Sequence, residues 1–507
     1  MEHKVTAPHT DHSLGVVEFW ECSLCRALSA TAVFREYTDY DPEDHIWDHY
    51  IHIGAGIDFM VRPLEQSGII TKGSLLDIGC GYGFTLDYWE HIANGEATGL
   101  EPSGYGKRGA QELGVNIVLA SLENASEIKS KKFDRLLSSE VIEHVPDPEK
   151  FVKFIRKYMR DDSILIITTP DAAFVVPENS LGTMMAVLSP GHHKFLFSQK
   201  SLRGLLEKCG FLYNFVDVVG ERLVAYASDK PINISRNSVM QNENYLKYLN
   251  EKVKLVPFYK SLGLGLRYRL FKELVNDGNY REAYGVGQEI YRGVIEKYDT
   301  DILSIKNLYR IVGECSSIDK YSKIFPFFVP SFAFYAAMMA RHGMPLGDYL
   351  ASDMFGCAAA LCADMQRFGH QYFQEAGSLY WVAIFEEGFA RMIDGDKAAA
   401  FRLFERIRLG PANDEPHLFF CHRPDSLIQR AVVQSGVAKL QGGEPEVAMA
   451  IFRSVLQEQG ARMDEDLVRE AVSLWTVAKE QSEGLLAEYR ADSRSDRDHH
   501  SSSQILN

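Results

Sequence analysis

The stretch Ser74-Leu-Leu-Asp-Ile-Gly-Cys-Gly-Tyr-Gly-Phe84 decides the fold of this chain. Its apolar run Leu75–Ile78 predicts a short buried strand, and Phe84–Ile92 restarts with helical spacing. Three glycines alternate between these segments: Gly79, Gly81 and Gly83. Because glycine accepts positive φ and lets a ligand approach the backbone, we predict a strand–turn–helix corner that binds a nucleotide-type ligand.

Asp77 stands two residues before the first glycine. A carboxylate at this point would repel a pyrophosphate but suits a ligand with a cationic or amine end. The G-x-G-x-G spacing also differs from the G-x-G-x-x-G of dinucleotide sites. The sequence therefore favours a positively charged ligand over a dinucleotide.

Asp77-x-Gly79-x-Gly81-x-Gly83 resembles the first motif of class I S-adenosylmethionine-dependent methyltransferases, and the resemblance runs from about residue 73 to 228. It implies an α/β Rossmann-like domain of seven strands with the last strand antiparallel. The strands expected after the first are Ala97–Leu100, Asn116–Leu119, Phe133–Ser139, Ser163–Thr169, Phe211–Val218 and Arg222–Ala227. Within the family, the chain looks most like the ubiquinone-biosynthesis O-methyltransferases.

The resemblance implies S-adenosyl-L-methionine as the cofactor. Glu101 would take the two ribose hydroxyls, since a carboxylate can accept both hydrogen bonds. Ser121 and Leu122 would contact the adenine. The other cofactor contacts expected are Asp77, Gly79, Gly81, Gly83 and Ser139.

The segment before the first strand is rich in aromatic residues: Tyr37, Tyr40, Trp47, His49 and Tyr50. Ile51–Leu64 has the spacing of an amphipathic helix. In the family this segment often covers the cofactor, whose sulfonium favours aromatic faces. Ordinary packing of a helix ahead of the domain explains the same residues equally well.

Glu140-x-x-Glu143-His144 follows the fourth predicted strand, and His192-His193-Lys194-Phe195 lies farther on. A helical turn would place the first three polar side chains on one face. The resemblance to the ubiquinone-biosynthesis enzymes, and to small-RNA 3′-end 2′-O-methyltransferases, implies a Mg²⁺, Mn²⁺ or Zn²⁺ site. Its ligands would be Glu140, Glu143, His144 and His193, with His192 as the alternate.

The same motif also occurs in this fold without a metal. In that alternative His144 acts as a general base or as a cap, and Glu140 only borders the cofactor. His144 and Glu140 are the candidate catalytic residues.

The first 30 residues form an N-terminal arm with two ligand pairs, His9-x-x-His12 and Cys22-x-x-Cys25. Together the four side chains could bind one Zn²⁺ ion in a knuckle like that of some methyltransferases. Histidines stand where cysteines are usual, and Arg26 stands where a turn glycine is common. A remnant knuckle, or two unrelated cysteines in a flexible arm, is the alternative.

The pattern predicts a catalytic domain over 31–228 with a cap helix, a linker over 229–250, a helical domain over 251–482 and a disordered tail over 483–507. Asp171–Ser198 reads as a substrate lid. In the helical part, glycine turns precede an alanine three times, which resembles tetratricopeptide hairpins. These are Gly278 before Ala283, Gly395 before Ala400 and Gly443 before Ala448.

Composition limits the partners and the compartment that we expect for this chain. A net charge of −15 over 507 residues makes nucleic acid an unlikely partner, and eight cysteines without regular spacing indicate a reduced, cytoplasmic protein. Ile324–Ala340 is too short and too interrupted by proline to span a membrane.

We therefore expect O-methylation of a sugar, glycan or small molecule, with a protein partner or self-association through the helical part. A metal-dependent RNA ribose 2′-O-methyltransferase and a non-catalytic cofactor-binding assembly protein are the alternatives.

Overall fold

The computed structural model describes residues 1–10, 12–32, 34, 44–53, 57–235, 238–369, 374–457 and 465–501. The chain divides into two compact units. The first unit comprises Met1–Thr300 with Ser316–Val329, and the second comprises Asp301–Cys315 with Pro330–Asn507.

The strands in the described residues are β1 (Glu2–Pro8), β2 (Val16–Glu21), β3 (Leu28–Thr31), β4 (Ser74–Ile78), β5 (Glu96–Leu100), β6 (Ile117–Val118), β7 (Phe133–Ser139), β8 (Met159–Pro170), β9 (Phe195–Leu196), β10 (Tyr213–Val219) and β11 (Arg222–Ser228). The helices are α1 (Asp44–Ile53), α2 (Ile57–Gln66), α3 (Phe84–Ala93), α4 (Gly104–Leu113), α5 (Pro148–Ile155), α6 (Leu181–Leu188), α7 (Gln199–Lys208), α8 (Ser238–Leu255), α9 (Ser261–Asn276), α10 (Tyr280–Tyr298), α11 (Ile305–Glu314), α12 (Ile318–Ser322), α13 (Val329–Arg341), α14 (Ala351–Gly369), α15 (Gln374–Ile393), α16 (Lys397–Leu409), α17 (Asp425–Gln441), α18 (Pro445–Gln457) and α19 (Glu465–Ser501).

The first unit is built on a seven-stranded sheet with the strand order β10-β11-β8-β7-β4-β5-β6. Strand β11 runs antiparallel to both of its neighbours, whereas β4 to β8 pair in parallel. The predicted Rossmann-like sheet with an antiparallel final strand is confirmed. Parallel strands bring their carboxyl ends to one edge of the sheet, which is the edge where such folds bind ligands.

A second sheet joins the N-terminal arm to the expected lid. Its order is β1-β2-β3-β9, and β9 lies inside the 171–198 insertion. Phe19 and Leu28 of the arm share a buried core with Val187 and Leu196 of the insertion. The arm and the insertion therefore form one subdomain, where the sequence indicated two separate segments.

The expected linker over 229–250 is instead partly helical, since α8 begins at Ser238. Its polar residues dock on α3 of the same unit. The Tyr248 hydroxyl donates to Asp87 Oδ2 over 2.7 Å, and Lys252 Nζ lies 2.7 Å from Asp87 Oδ1. Helices α8 to α10 therefore belong to the first unit, and the helical domain expected to begin at residue 251 is divided.

The second unit contains two helical hairpins, α15–α16 and α17–α18, at the predicted glycine turns. The third predicted hairpin, α9–α10, lies in the first unit. In each hairpin of the second unit, a glycine packs against the ring of a phenylalanine sixteen residues later in the chain. A Cβ added at Gly388 would lie 2.7 Å from the Phe404 ring, and one added at Gly436 would lie 2.5 Å from the Phe452 ring. The tetratricopeptide likeness itself stays a prediction.

The expected tail from residue 483 is not irregular in its first part, because α19 continues through Ser501. Its sequence beyond Gly484 contains no proline or glycine that would end a helix. Residues 502–507 lie outside the described part of the chain.

Within the described residues, no helix has both the length and the apolar character that crossing a membrane requires. The aromatic-rich segment Ile324–Ala340 mostly forms α13, whose phenylalanines are buried.

Phe19→Ala tests the shared subdomain. The side chain is fully buried in the core formed by the arm and the insertion, so we expect a loss of about 3–5 kcal/mol in the stability of that subdomain. Hydrogen–deuterium exchange should then become faster over residues 181–196. Val16→Ala, on the same strand but 60% exposed, is the control. Unchanged exchange over 181–196 in the Phe19 variant would contradict the shared core.

Candidate active site

The glycine corner between β4 and α3 requires glycine at all three positions. Gly79, Gly81 and Gly83 have φ values of 75°, 53° and 88°. An added Cβ would lie 2.5 Å from Val141 Cγ2 at the first, 2.4 Å from the Tyr50 hydroxyl at the second and 2.9 Å from Val115 Cγ2 at the third. The backbone is therefore closely covered by side chains from three other segments.

Two carboxylates flank this corner. Asp77 is 1% exposed, and its Oδ2 has no hydrogen-bond partner among the described residues. Burial raises the pKa of Asp77 to about 7. Glu101, after β5, accepts hydrogen bonds from the Gly81 amide over 3.1 Å and from the Ser103 amide over 3.0 Å. One buried carboxylate oxygen therefore remains available to a cationic group.

Aromatic residues of α1 pack over the corner. The Tyr82 amide donates to the Tyr50 hydroxyl over 3.4 Å, and the Tyr50 ring centre lies 4.6 Å from that of Tyr105. Trp47 packs edge-on against Tyr105, with Arg108 4.4 Å above its ring. Tyr37 and Tyr40 lie outside the described residues.

The remaining expected cofactor residues differ in their environments. Ser121 is half-buried beyond β6, at the ligand edge of the sheet. The side chain of Leu122 belongs to the hydrophobic core, which leaves only its backbone to face a ligand. Ser139 Oγ lies 2.7 Å from Thr168 Oγ1 at the ends of β7 and β8.

A second cluster lies beside the corner. Ligand atoms of Glu143, His144 and His193 all lie within 4.8 Å of one another. Glu143 is 0% exposed and accepts a hydrogen bond from Thr169 Oγ1 over 2.9 Å. Its Oε1 has no hydrogen-bond partner in the described part of the chain and lies 3.9 Å from Nε2 of both histidines. Burial raises the pKa of Glu143 well above its usual range.

Backbone carbonyls orient both imidazoles. His144 Nδ1 lies 3.1 Å from the His192 carbonyl oxygen, and His193 Nδ1 lies 2.8 Å from that of Val187. Because a carbonyl only accepts, each Nδ1 carries the proton and each Nε2 presents a lone pair. Burial lowers the pKa of His144 to about 4 and that of His193 well below the usual value, so both rings are neutral at pH 7. Metal-ligating histidines are held in this way.

Glu140 does not join this cluster, contrary to the four-ligand set expected from the motif. The residues after β7 form turns instead of a helix, and Glu140 has a left-handed φ of 56°. Its Oε1 accepts from Thr168 Oγ1 over 3.1 Å and lies 3.5 Å from Arg222 Nε. The alternate ligand His192 contributes its backbone carbonyl to His144, as described above.

The two parts of the site adjoin one another. Strands β4 and β7 are neighbours in the sheet, and the Val141 side chain, between Glu140 and the cluster, fills the space above Gly79. The carboxylate–imidazole cluster therefore lies at the same sheet edge as the glycine corner.

The single zinc site considered for the N-terminal arm does not form. In the β1–β2 hairpin, Pro8 pairs with Val16 and Glu2 pairs with Glu21. His9 and Cys22 therefore lie at opposite ends of β2, separated by roughly 20 Å at about 3.3 Å per residue. The side chain of His12 lies outside the described residues.

The Cys22–Cys25 turn has a structural role. Arg26 has a φ of 64°, the conformation that favours glycine at this position. The Leu24 carbonyl accepts from Lys200 Nζ over 2.9 Å, and the Cys25 carbonyl accepts from the Ser198 hydroxyl at the start of α7.

Sequence reasoning missed Thr169 and Arg222, which position the two glutamates. The pair Thr168-Thr169 at the end of an otherwise apolar strand was a usable signal for the first. The sequence gives no comparable signal for Arg222. This residue begins β11, and only the pairing of β11 with β8 in the folded chain brings it to the site.

Residues 53–213 match the family model described as Methyltransferase domain. This segment is a methyltransferase domain. The match covers β4 to β9 and the greater part of the site, and it ends before β11 and the helices that follow.

Relatives of the methyltransferase domain include enzymes with different acceptors. The chain is 34% identical over 112 residues to N-methyltransferase 4 of Papaver somniferum, which covers 20% of this chain and 32% of the relative. It is 25% identical over 155 residues to the ubiquinone biosynthesis O-methyltransferase of Actinobacillus pleuropneumoniae serotype 7 (strain AP76), covering 27% and 66%. The chain thus spans 32% and 66% of the length of these two relatives. One relative is named for N-methylation and the other for O-methylation.

Among solved structures, the plantazolicin methyltransferase BpumL in complex with SAH is similar with 14% identity and a TM-score of 0.28, over 38% of this chain and 86% of that chain. An O-methyltransferase family protein of Burkholderia thailandensis is similar with 12% identity and a TM-score of 0.30, over 35% and 57%. Similarity at this level carries no information about the acceptor.

Asp77→Asn tests the charge of the corner. With a pKa of about 7, Asp77 is partly protonated at pH 6, and an ammonium group favours its ionised form. We expect the affinity of the wild type for S-adenosylhomocysteine, measured by calorimetry, to be roughly tenfold lower at pH 6 than at pH 8.

The variant should bind weakly at both pH values. Because the folded-state pKa is raised, the ligand-free wild type loses stability as pH rises from 4 to 7, and the variant should show a higher Tm at pH 8. Equal pH profiles for both proteins would contradict this role of Asp77.

Proposed function

We propose that this chain is an S-adenosylmethionine-dependent methyltransferase that methylates a hydroxyl of a small-molecule or glycan acceptor with the help of a divalent cation. The observation that supports it most is the convergence of Glu143, His144 and His193 next to the glycine corner. This arrangement places groups that can activate a hydroxyl beside a site suited to the methyl donor.

On the cofactor side, S-adenosylmethionine supplies an already activated methyl group, so the chain has mainly to align the acceptor and exclude water. Asp77 Oδ2, which has no hydrogen-bond partner in the part of the chain that the structure describes, suits an ammonium group. Glu101 can exchange its bonds to loop amides for ribose hydroxyls. Trp47 and Tyr50 close the corner from solvent.

On the acceptor side, one carboxylate and two neutral imidazoles suit Zn²⁺ or Mn²⁺ better than Mg²⁺, which prefers oxygen ligands. A divalent cation supplies Lewis acidity, which lowers the pKa of a nearby hydroxyl. Thr169 holds the Glu143 carboxylate, and two backbone carbonyls hold the imidazoles, so the three ligand atoms are arranged before any cation arrives.

The charge of the chain supports a small-molecule or glycan acceptor over RNA. The chain has a net charge of −15, and carboxylates line the site, which disfavours a long polyanion such as RNA. A neutral hydroxyl compound pays no such electrostatic cost.

The repeated glycine–phenylalanine contacts of the hairpins support a tetratricopeptide-like role in binding a protein partner or a second copy.

Glu143→Gln and His193→Asn test the cation. We expect wild-type protein to retain Zn²⁺ or Mn²⁺ after dialysis, and each variant to lose at least tenfold in metal affinity. Glu140→Gln is the matched control for metal content, because Glu140 lies outside the cluster. Metal is measured by elemental analysis and calorimetry.

The second readout is the transfer of a labelled methyl group from S-adenosylmethionine to the fractions of a cell extract. It is measured with and without a chelator. Label in the small-molecule or glycan fraction that chelator abolishes supports the proposal. Chelator-resistant transfer would indicate metal-free general-base catalysis, and label in RNA would favour the ribose methyltransferase.

A further inference from the structure

Helix α9 carries two buried arginines with different environments. Arg267 is 6% exposed, and each of its nitrogens is bonded. Its Nε lies 2.6 Å from Glu289 Oε2, and its Nη2 lies 2.8 Å from the Val253 carbonyl oxygen. Its Nη1 donates to the Val256 carbonyl oxygen over 2.9 Å. Arg267 therefore has a structural role in the packing of the helices.

Arg269 is 3% exposed, and among the described residues its hydrogen bond runs from Nη1 to the Ile51 carbonyl oxygen over 3.3 Å. Its Nε and Nη2 have no partner among the described residues. The ring of the neighbouring His52 is neutral, because burial lowers its pKa. It therefore does not balance the charge of the guanidinium. A buried guanidinium without an anion is costly, so this cation calls for a negatively charged partner.

The position of Arg269 indicates where that partner would bind. Its guanidinium carbon lies 5.1 Å from the centre of the Phe84 ring. Phe84 is the first residue of the ten-residue helix α3, and Gly83 at the N-cap offers no side chain to cap it. A helix N-terminus and a guanidinium both favour an anion. The two features meet at the end of the glycine corner.

The opposite charge is present at the same helix turn. Asp77 accepts a hydrogen bond from Thr85, the residue after Phe84, and keeps a second oxygen without a partner in the described chain. A buried cation and a buried carboxylate therefore both lack a full set of partners around the first turn of α3. A ligand with one carboxylate and one ammonium group satisfies both.

We infer that Arg269 binds the carboxylate of the amino-acid end of the cofactor while Asp77 takes its ammonium group. This inference rests on the proposed use of S-adenosylmethionine. It makes α9 part of the cofactor site, although α9 lies beyond the segment 53–213 that matches the family model. A domain cut after β11 would then lack a cofactor-binding residue.

Calorimetry on the full-length chain tests the inference with two ligands. S-Adenosylhomocysteine carries the amino-acid end, and 5′-methylthioadenosine lacks it. We expect Arg269→Gln to bind S-adenosylhomocysteine roughly 10- to 100-fold more weakly than the wild type and to bind 5′-methylthioadenosine equally well. Arg269→Lys, which keeps the charge, should recover part of the loss.

Arg267→Gln is the control on the same helix. It should lower the Tm and leave the ratio of the two affinities unchanged. An Arg269→Gln protein with the wild-type affinity ratio would overturn the inference while leaving the proposed function intact. A wild-type chain that binds neither ligand would overturn both. If Arg269→Gln does not fold, the Arg269→Lys affinity ratio decides, and a value equal to that of the wild type counts against the inference.

Discussion

The first unit is organised around a left-handed glycine turn flanked by one buried carboxylate, Asp77, and one half-buried carboxylate, Glu101. Glu101 accepts hydrogen bonds from the Gly81 amide of the turn and from the Ser103 amide after β5, whereas Asp77 keeps one buried oxygen without a partner in the described part of the chain. A buried unpaired carboxylate is tolerated at a cost, and a cation that binds there removes the cost. The aromatic helix α1 closes over the turn, and α9 holds α1 in place, because the Ile51 carbonyl lies against Gly265 and Arg269.

The parts of the fold that depend on local signals could be predicted from the sequence. Buried parallel strands are short apolar runs that end in glycine or an acidic residue, and β4, β5, β7 and β8 were found in this way. The glycine corner and the placement of Asp77 were predicted from the residues themselves, whereas the roles of Glu101 and of the acidic–histidine cluster beyond β7 were implied by the family resemblance. Ser198 directly precedes α7, where serine is a local signal for a helix start, and its side chain caps that helix.

The remainder depends on contacts between distant residues. Strand β9 is two residues long and exists because it pairs with β3, some 165 residues earlier, so no periodicity marks it. Polar residues of α8 looked like a linker because their partner, Asp87, lies on another helix. Glu140 was expected on a helical face, but its left-handed backbone turns it toward Arg222. The cysteine and histidine pairs suggested one zinc site, but the register of the β1–β2 hairpin places His9 and Cys22 at opposite ends of β2.

The measurement that tests the central claim most directly is a crystal structure of the full chain grown with S-adenosylhomocysteine. We expect electron density for the ligand along the glycine corner, with its ribose hydroxyls on Glu101 and its amino group on Asp77. Density for the ligand elsewhere, or a corner that instead binds the pyrophosphate of an added dinucleotide, would contradict it.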